Sequence, residues 1–152
     1  MYSRNIIVII TLITGLFILY KYKKKIGQEL IIAFLFALFI TSYVEYIYTG
    51  VNMTIGTINV FPLVSWTGGL VFIREIYEMI NIKYKIIYFS FLYLGLILFV
   101  EYVGYHILGI QLDSNYPGLW GLDVLHVPWF QQIFYITAGP IYLLVTDYLN
   151  VK

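Results

Sequence analysis

The sequence predicts an all-α membrane protein, a bundle of five transmembrane helices whose last four form two parallel-repeated helical hairpins. Three observations carry this prediction. Hydrophobic residues fill 61% of the 152 positions and charged residues 11%, far more apolar surface than the interior of so small a soluble domain can take. The apolar residues fall into five runs of roughly 20, the length a helix needs to cross ~30 Å of hydrocarbon at ~1.5 Å per residue. The lysines collect in alternate connections. Residues 1–152 therefore read as a single integral membrane domain.

The first run, 5–20, follows Arg4 as a signal peptide would, but it ends in Lys21-Tyr22-Lys23-Lys24-Lys25 rather than in small residues, so it reads as a retained helix. The second runs from 29 to 48 and the third from 62 to 80, the latter opened by Phe61-Pro62 and containing Gly68-Gly69. The fourth, 86–110, is long enough to tilt. The fifth, 128–148, opens at Pro128, where proline suits a first turn, and holds Gly139-Pro140 where a kink is expected.

Five crossings place all seven lysines (Lys21, Lys23, Lys24, Lys25, Lys83, Lys85 and Lys152) on one side. The positive-inside bias makes that side cytoplasmic, with the N-terminus outside and the C-terminus inside a cytoplasmic or equivalent membrane. Tyrosines near both predicted boundaries agree, since amphipathic rings prefer the interface. Asn52-Met53-Thr54 matches a glycosylation acceptor in the outer connection. Val44-Glu45-Tyr46 before Phe61-Pro62, and Val100-Glu101-Tyr102 before Val127-Pro128, suggest that 29–80 and 86–148 are repeats.

The candidate chemistry lies in Val100–Gln132. Glu45 and Glu101 each put a carboxylate about one turn inside the outer boundary, where charge is costly unless it is paired, protonated or wet. Facing one another in a pocket, they would supply one acid and one base, the catalytic pair expected here. The competing reading is that they snorkel outwards or cap the loop backbone. The intervening loop holds both histidines, His106 and His126, with Asp113 and Asp123. On an α-helix His106 lies roughly 140° from Glu101, off its face, and no established ligand spacing is present, so no metal is expected. A His126–Asp123 hydrogen bond is. Gln131 and Gln132, at the level of the glutamates, need partners, Glu101 being the nearest by level. His106, Asp123, His126, Gln131 and Gln132, with Trp120 and Trp129, form the expected ligand-binding set. Near the other end, Arg74 and Glu78 are spaced as an i, i+4 ion pair, with an anion or headgroup site as the alternative.

The stretches Val44–Phe72 and Val100–Leu144 resemble the small tandem membrane domains of the carotenoid (lycopene) cyclases, and Glu101-Tyr102-Val103-Gly104 is similar to membrane carotenoid hydratases. In those cyclases the proline opens a Pro-x-Glu-Glu acid element; here it opens Pro62-Leu63-Val64-Ser65 and Pro128-Trp129-Phe130-Gln131. The resemblance thus implies the architecture more directly than the reaction.

The expected function is an outer-face pocket that binds or modifies an isoprenoid, carotenoid-like or other membrane lipid by acid–base chemistry without a cofactor. The alternatives are a non-catalytic accessory subunit of a larger membrane complex, or a homo-oligomer, and an ion or proton conduit using Glu45, Glu101 and Arg74. Nearly uncharged helix centres make a continuous relay hard to draw. With no cysteine there is no thiolate chemistry, and a net charge of +1 gives no case for nucleic acid.

Overall fold

A computed structural model describes residues 2–22, 26–49, 52–149 and 151, with residues 2–5 described by backbone alone. Lys23, Lys24, Lys25 and Lys152, which carry part of the charge-orientation argument, lie outside the described residues. Five α-helices are present: α1 (Tyr2–Tyr22), α2 (Ile26–Tyr43), α3 (Val60–Met79), α4 (Lys85–Tyr102) and α5 (Trp129–Tyr148). Two of them, Ile26–Tyr43 and α4 with its continuation to Ile107, are long and apolar enough to cross a membrane. α3 fails that test through Arg74, Glu75 and Glu78, and α5 is diluted by Gln131, Gln132, Gly139 and Pro140.

The core lies between α2, α3 and α5, where Ala33, Ala37, Leu70, Val71, Ala138, Tyr142 and Leu143 are buried, with Phe89 and Tyr93 from α4. Phe89 and Tyr93 are the fully buried residues of α4, and Ile86, Leu96 and Ile97 pack partly buried against the core. Ile87, Phe91 and Phe99 face outwards, as do Ile7, Ile13 and Phe17 of α1 and Ile31 and Phe39 of α2. Gly68 faces α1, its Cβ position 3.1 Å from Leu12 Cδ2. Gly139 lets α5 meet α4 face to face: a Cβ there would lie 2.4 Å from Tyr93 Cε2. The Tyr93 hydroxyl donates to the Tyr135 carbonyl at 2.6 Å, next to the carbonyl of Ile136 that Pro140 leaves without an amide.

The second helix is shorter than the expected 29–48, because Asn side chains capture the backbone beyond Tyr43. Asn59 Nδ2 donates to the Tyr46 carbonyl at 2.9 Å, and Asn52 bonds both the N–H and C=O of Tyr48, at 2.9 and 3.1 Å. Asn52, the acceptor of the glycosylation-like triplet, therefore has its amide engaged. Asn59 also caps α3, accepting from Phe61 N at 3.1 Å, so the helix starts at Val60 rather than Pro62. A short antiparallel hairpin, β1 (Thr54–Ile55) and β2 (Ile58–Asn59), closes this connection. The two connections touch: Tyr48 bridges Leu112, and Asp113 N donates to the Ile47 carbonyl at 2.8 Å.

The expected fourth run, 86–110, is α4 followed by a π-helical turn, Val103–Ile107. Leu108 N reaches the Val103 carbonyl, five residues back, at 2.9 Å. This turn decides where the site residues point.

Candidate functional site

The α4–α5 connection folds back on the end of α4. Leu119 N donates to the Val124 carbonyl at 2.8 Å, and Gly118 lies so close to the returning chain that a Cβ would be 1.7 Å from the Leu122 carbonyl oxygen. Leu125 is fully buried in a left-handed conformation (φ 55°) and aims the next residue, His126, back at α4. Gln132, from the first turn of α5, holds the same loop through the carbonyls of Leu125 and Val127, at 3.2 and 3.1 Å. Its partner is backbone, in place of the expected Glu101.

His126 stands between two carboxylates. Its Nδ1 is 3.2 Å from Glu101 Oε1, which also accepts from the His126 backbone N–H at 3.2 Å. Its Nε2 is 3.0 Å from Asp123 Oδ1, the expected His126–Asp123 contact, although the segment between them is not helical. Tyr105 stacks on the ring, with centroids 3.9 Å apart and planes 16° from parallel. His106 completes the group, its Nε2 3.4 Å from Asp123 Oδ2. Ideal α-helical geometry puts Glu101 and His106 on different faces; here Tyr105 and His106 both lie in the π turn that follows Glu101, Tyr105 against the His126 ring and His106 against Asp123.

The arrangement is graded in exposure. The side chains of Glu101 and His126 are 13% and 10% exposed, that of Asp123 77%. Glu101 Oε2 is buried and has no hydrogen-bond partner. A doubly protonated imidazole donates to both carboxylates; with one ring proton, the second contact needs a proton on a carboxylate. The two ring nitrogens thus each lie within hydrogen-bond distance of a carboxylate oxygen, one exposed on Asp123 and one buried on Glu101.

Other expected site residues lie apart from this chain. Glu45 is exposed, and among the described residues nothing bonds it to Glu101. Trp120 and Trp129 are 88% and 73% exposed and turned outwards. Gln131 is fully buried, but its Nε2 reaches only the Tyr135 hydroxyl, at 3.5 Å, and its Oε1 has no partner. Within the α2–α3 connection, burial pushes the Tyr46 phenol up to about 12 and that of Tyr48 well above the usual range. Tyr135, Trp66 and Gln131 stand near Tyr46 and offset this slightly, but none makes a hydrogen bond of normal geometry to its hydroxyl.

The other charged group sits at the opposite ends of α3 and α5. The expected Arg74–Glu78 pair forms at 3.1 Å, but Arg74 also bonds Asp147 of α5 and the Val151 carbonyl, the latter at 2.9 Å. Sequence reasoning missed Asp147, although a lone acid in the last turn of an apolar helix is a signal. Among the described residues, Glu29, Glu75 and Glu78 form the one group whose oxygens lie within 4.8 Å of one another as cation ligands would, and each is already engaged with other groups.

Comparison of the chain with protein-family models, curated proteins and solved structures finds no match. The functional reading therefore rests on the residues themselves.

Proposed function

We propose that all five helices cross a membrane, with the N-terminus outside, and that the chain binds an isoprenoid or similar apolar lipid beside Glu101 and acts on it by acid–base chemistry. The observation that carries this reading is the His126 ring fixed between Glu101 and Asp123, with Glu101 Oε2 buried and unbonded. Glu101 is the group that gives a proton to, or takes one from, an alkene or hydroxyl of the ligand. His126 restores that proton, Asp123 exchanges it with water, and His106 and Tyr105 hold the two in place. Protonation of an alkene leaves a carbocation that is discharged by loss of a proton from a neighbouring carbon or by addition of water with loss of a proton, so the reaction balances without a redox partner. The resemblance to carotenoid cyclases and hydratases suggests the ligand class. The outward-facing apolar residues on α1, α2 and α4 support lipid as the solvent. The duplicated Val-Glu-Tyr supports two hairpin repeats, with only the second glutamate recruited.

A second reading, a non-catalytic subunit of a larger membrane complex, draws on Trp120 and Trp129, which point away from the site and offer contact residues to a neighbour. Mild purification followed by mass spectrometry of bound lipids and proteins separates the two. An isoprenoid-class lipid should accompany the wild type, and its substrate-to-product ratio should change in Glu101→Gln and His126→Asn but not in Glu45→Gln. Identical lipid profiles in all four proteins would overturn the acid–base reading. Stoichiometric membrane subunits without a bound lipid would establish the second.

A further inference from the structure

Two buried polar atoms stand without a hydrogen-bond partner near the entry of α5: the carboxamide oxygen of Gln131, in the first turn of that helix, and the hydroxyl of Tyr46, from the α2–α3 connection. Gln131 is fully buried and Tyr46 is 4% exposed, so neither turns to bulk water. They belong to one cluster. Gln131 Nε2 reaches the Tyr135 hydroxyl at 3.5 Å, the limit of a hydrogen bond, and the Tyr135 ring stands edge-on to the Trp66 indole of α3 with centroids 4.7 Å apart. Gln131, Tyr135 and Trp66 all stand near the Tyr46 hydroxyl. α3, α5 and the connection thus send side chains to one place.

A buried donor or acceptor left unbonded costs ~1–3 kcal/mol, and a ligand atom that bonds both Gln131 and Tyr46 removes that cost twice over. The waiting groups set its chemistry. The Gln131 oxygen only accepts, so the ligand must donate; the phenols and the Gln131 amide hydrogens donate, so the same ligand atom is also asked to accept. Among the described residues no Lys, Arg, Asp or Glu bonds Tyr46, Gln131 or Tyr135, so an entering ammonium or phosphate would stay buried without a counter-charge. The burial that pushes the Tyr46 phenol up disfavours any such charge here. A hydroxyl donates, accepts and is neutral.

We propose that Tyr46, Gln131 and Tyr135 bind the hydroxyl of an isoprenoid alcohol. The lipid of the acid–base reading is then an alcohol, in place of a hydrocarbon or a phosphate. The isoprenoid part of the inference rests on that reading, whereas the hydroxyl part rests on the two unpartnered atoms. Trp66 and Phe134, with ring centroids 5.0 Å apart, supply aromatic surface beside the cluster for the adjoining carbons. Water offers the same hydrogen bonds, and the experiment separates the two sources.

The test is native mass spectrometry of the detergent-solubilised chain with geranylgeraniol, its methyl ether and geranylgeranyl phosphate at equal concentration. The ether keeps the acceptor and loses the donor. Geranylgeraniol should be retained about tenfold better than either analogue, or ~1.4 kcal/mol. In Gln131→Leu and in Tyr46→Phe that preference should collapse, while thermal unfolding of the lipid-free Tyr46→Phe protein shows no loss of stability. Should Gln131→Leu fail to fold, Tyr46→Phe carries the test alone. Retention of either analogue as well as the alcohol, or an undiminished preference in Tyr46→Phe, overturns the hydroxyl site and leaves the isoprenoid reading standing. Failure to retain any of the three overturns both. A Tyr46→Phe protein destabilised without lipid, from a wild type that shows no preference for the alcohol, makes the occupant water and overturns the proposal.

Discussion

Tyr46 has left α2 yet is 4% exposed, and its hydroxyl lacks a normal hydrogen bond. An unbonded buried hydroxyl is a cost, so Tyr46→Phe should leave the solubilised protein as stable at neutral pH or more stable by about 1 kcal/mol. The sign with pH follows from the phenol, which ionises near 10 when unfolded and at about 12 when folded. The folded state holds its proton longer, so stability from this group is complete below pH 10 and lost between 10 and 12. Thermal unfolding of both proteins from pH 8 to 11.5 checks it, and the difference between them isolates Tyr46 from Tyr48. A Phe variant weaker by more than ~1 kcal/mol at pH 8 would mean that the hydroxyl is bonded after all. At this scale the sequence shows which residues matter better than it shows their partners. Glu101 stands out as a lone charge in an apolar run, and His126 and Asp123 as neighbours three apart. Their convergence depends on left-handed Leu125 and on the close approach at Gly118, which no hydrophobic period encodes. Glu45 is equally visible, yet it lies just beyond the end of α2 and is exposed.

Among the elements, the crossing of α4 and α5 is set by one missing methyl. Gly139→Ala places a Cβ 2.4 Å from Tyr93 Cε2, and both residues are buried, so neither side can yield without moving a helix. Overpacking of this kind costs ~1–3 kcal/mol. Tyr93→Leu should lose the 2.6 Å bond to the Tyr135 carbonyl but relieve the clash, so the double variant should be less destabilised than the sum of the two single variants. Thermal unfolding of the four proteins gives the coupling directly; strict additivity would show that the helices do not meet here. The five helices themselves are legible from run length, because each run supplies a continuous apolar surface. Their ends are not, since they depend on side chains elsewhere in the chain: Asn59 and Asn52 end α2 by taking its following backbone, and the π turn extends α4 beyond Tyr102. The β1–β2 hairpin is two residues per strand, too short to register as an alternating pattern.

For the whole molecule, the number of helices that cross the membrane is decided by α3. Among the described residues α2 and α4 alone pass on length and hydropathy, α1 contributing the shorter apolar stretch Ile6–Tyr22, while α3 carries Arg74, Glu75 and Glu78 toward its end. Those charges do not forbid a crossing, because Arg74 is satisfied internally by Glu78, Asp147 and the Val151 carbonyl, and the group sits in the last turns, where the cost of charge falls. The chain has no cysteine, so single cysteines introduced at exposed sites report without background. Thr57 lies in the α2–α3 connection, Ile82 between α3 and α4, and Ser114 between α4 and α5, all three exposed. If every helix crosses, a membrane-impermeant maleimide added to intact cells should label Thr57→Cys and Ser114→Cys, and Ile82→Cys only after permeabilisation. If α2 and α4 alone cross, Thr57→Cys and Ile82→Cys label together and Ser114→Cys behaves oppositely. The second pattern would leave the charged end of α3 on the same side as the β1–β2 hairpin. Because α2 and α3 pack against one another, with Ala37, Leu70 and Val71 in the core they share, the first pattern is the expected one.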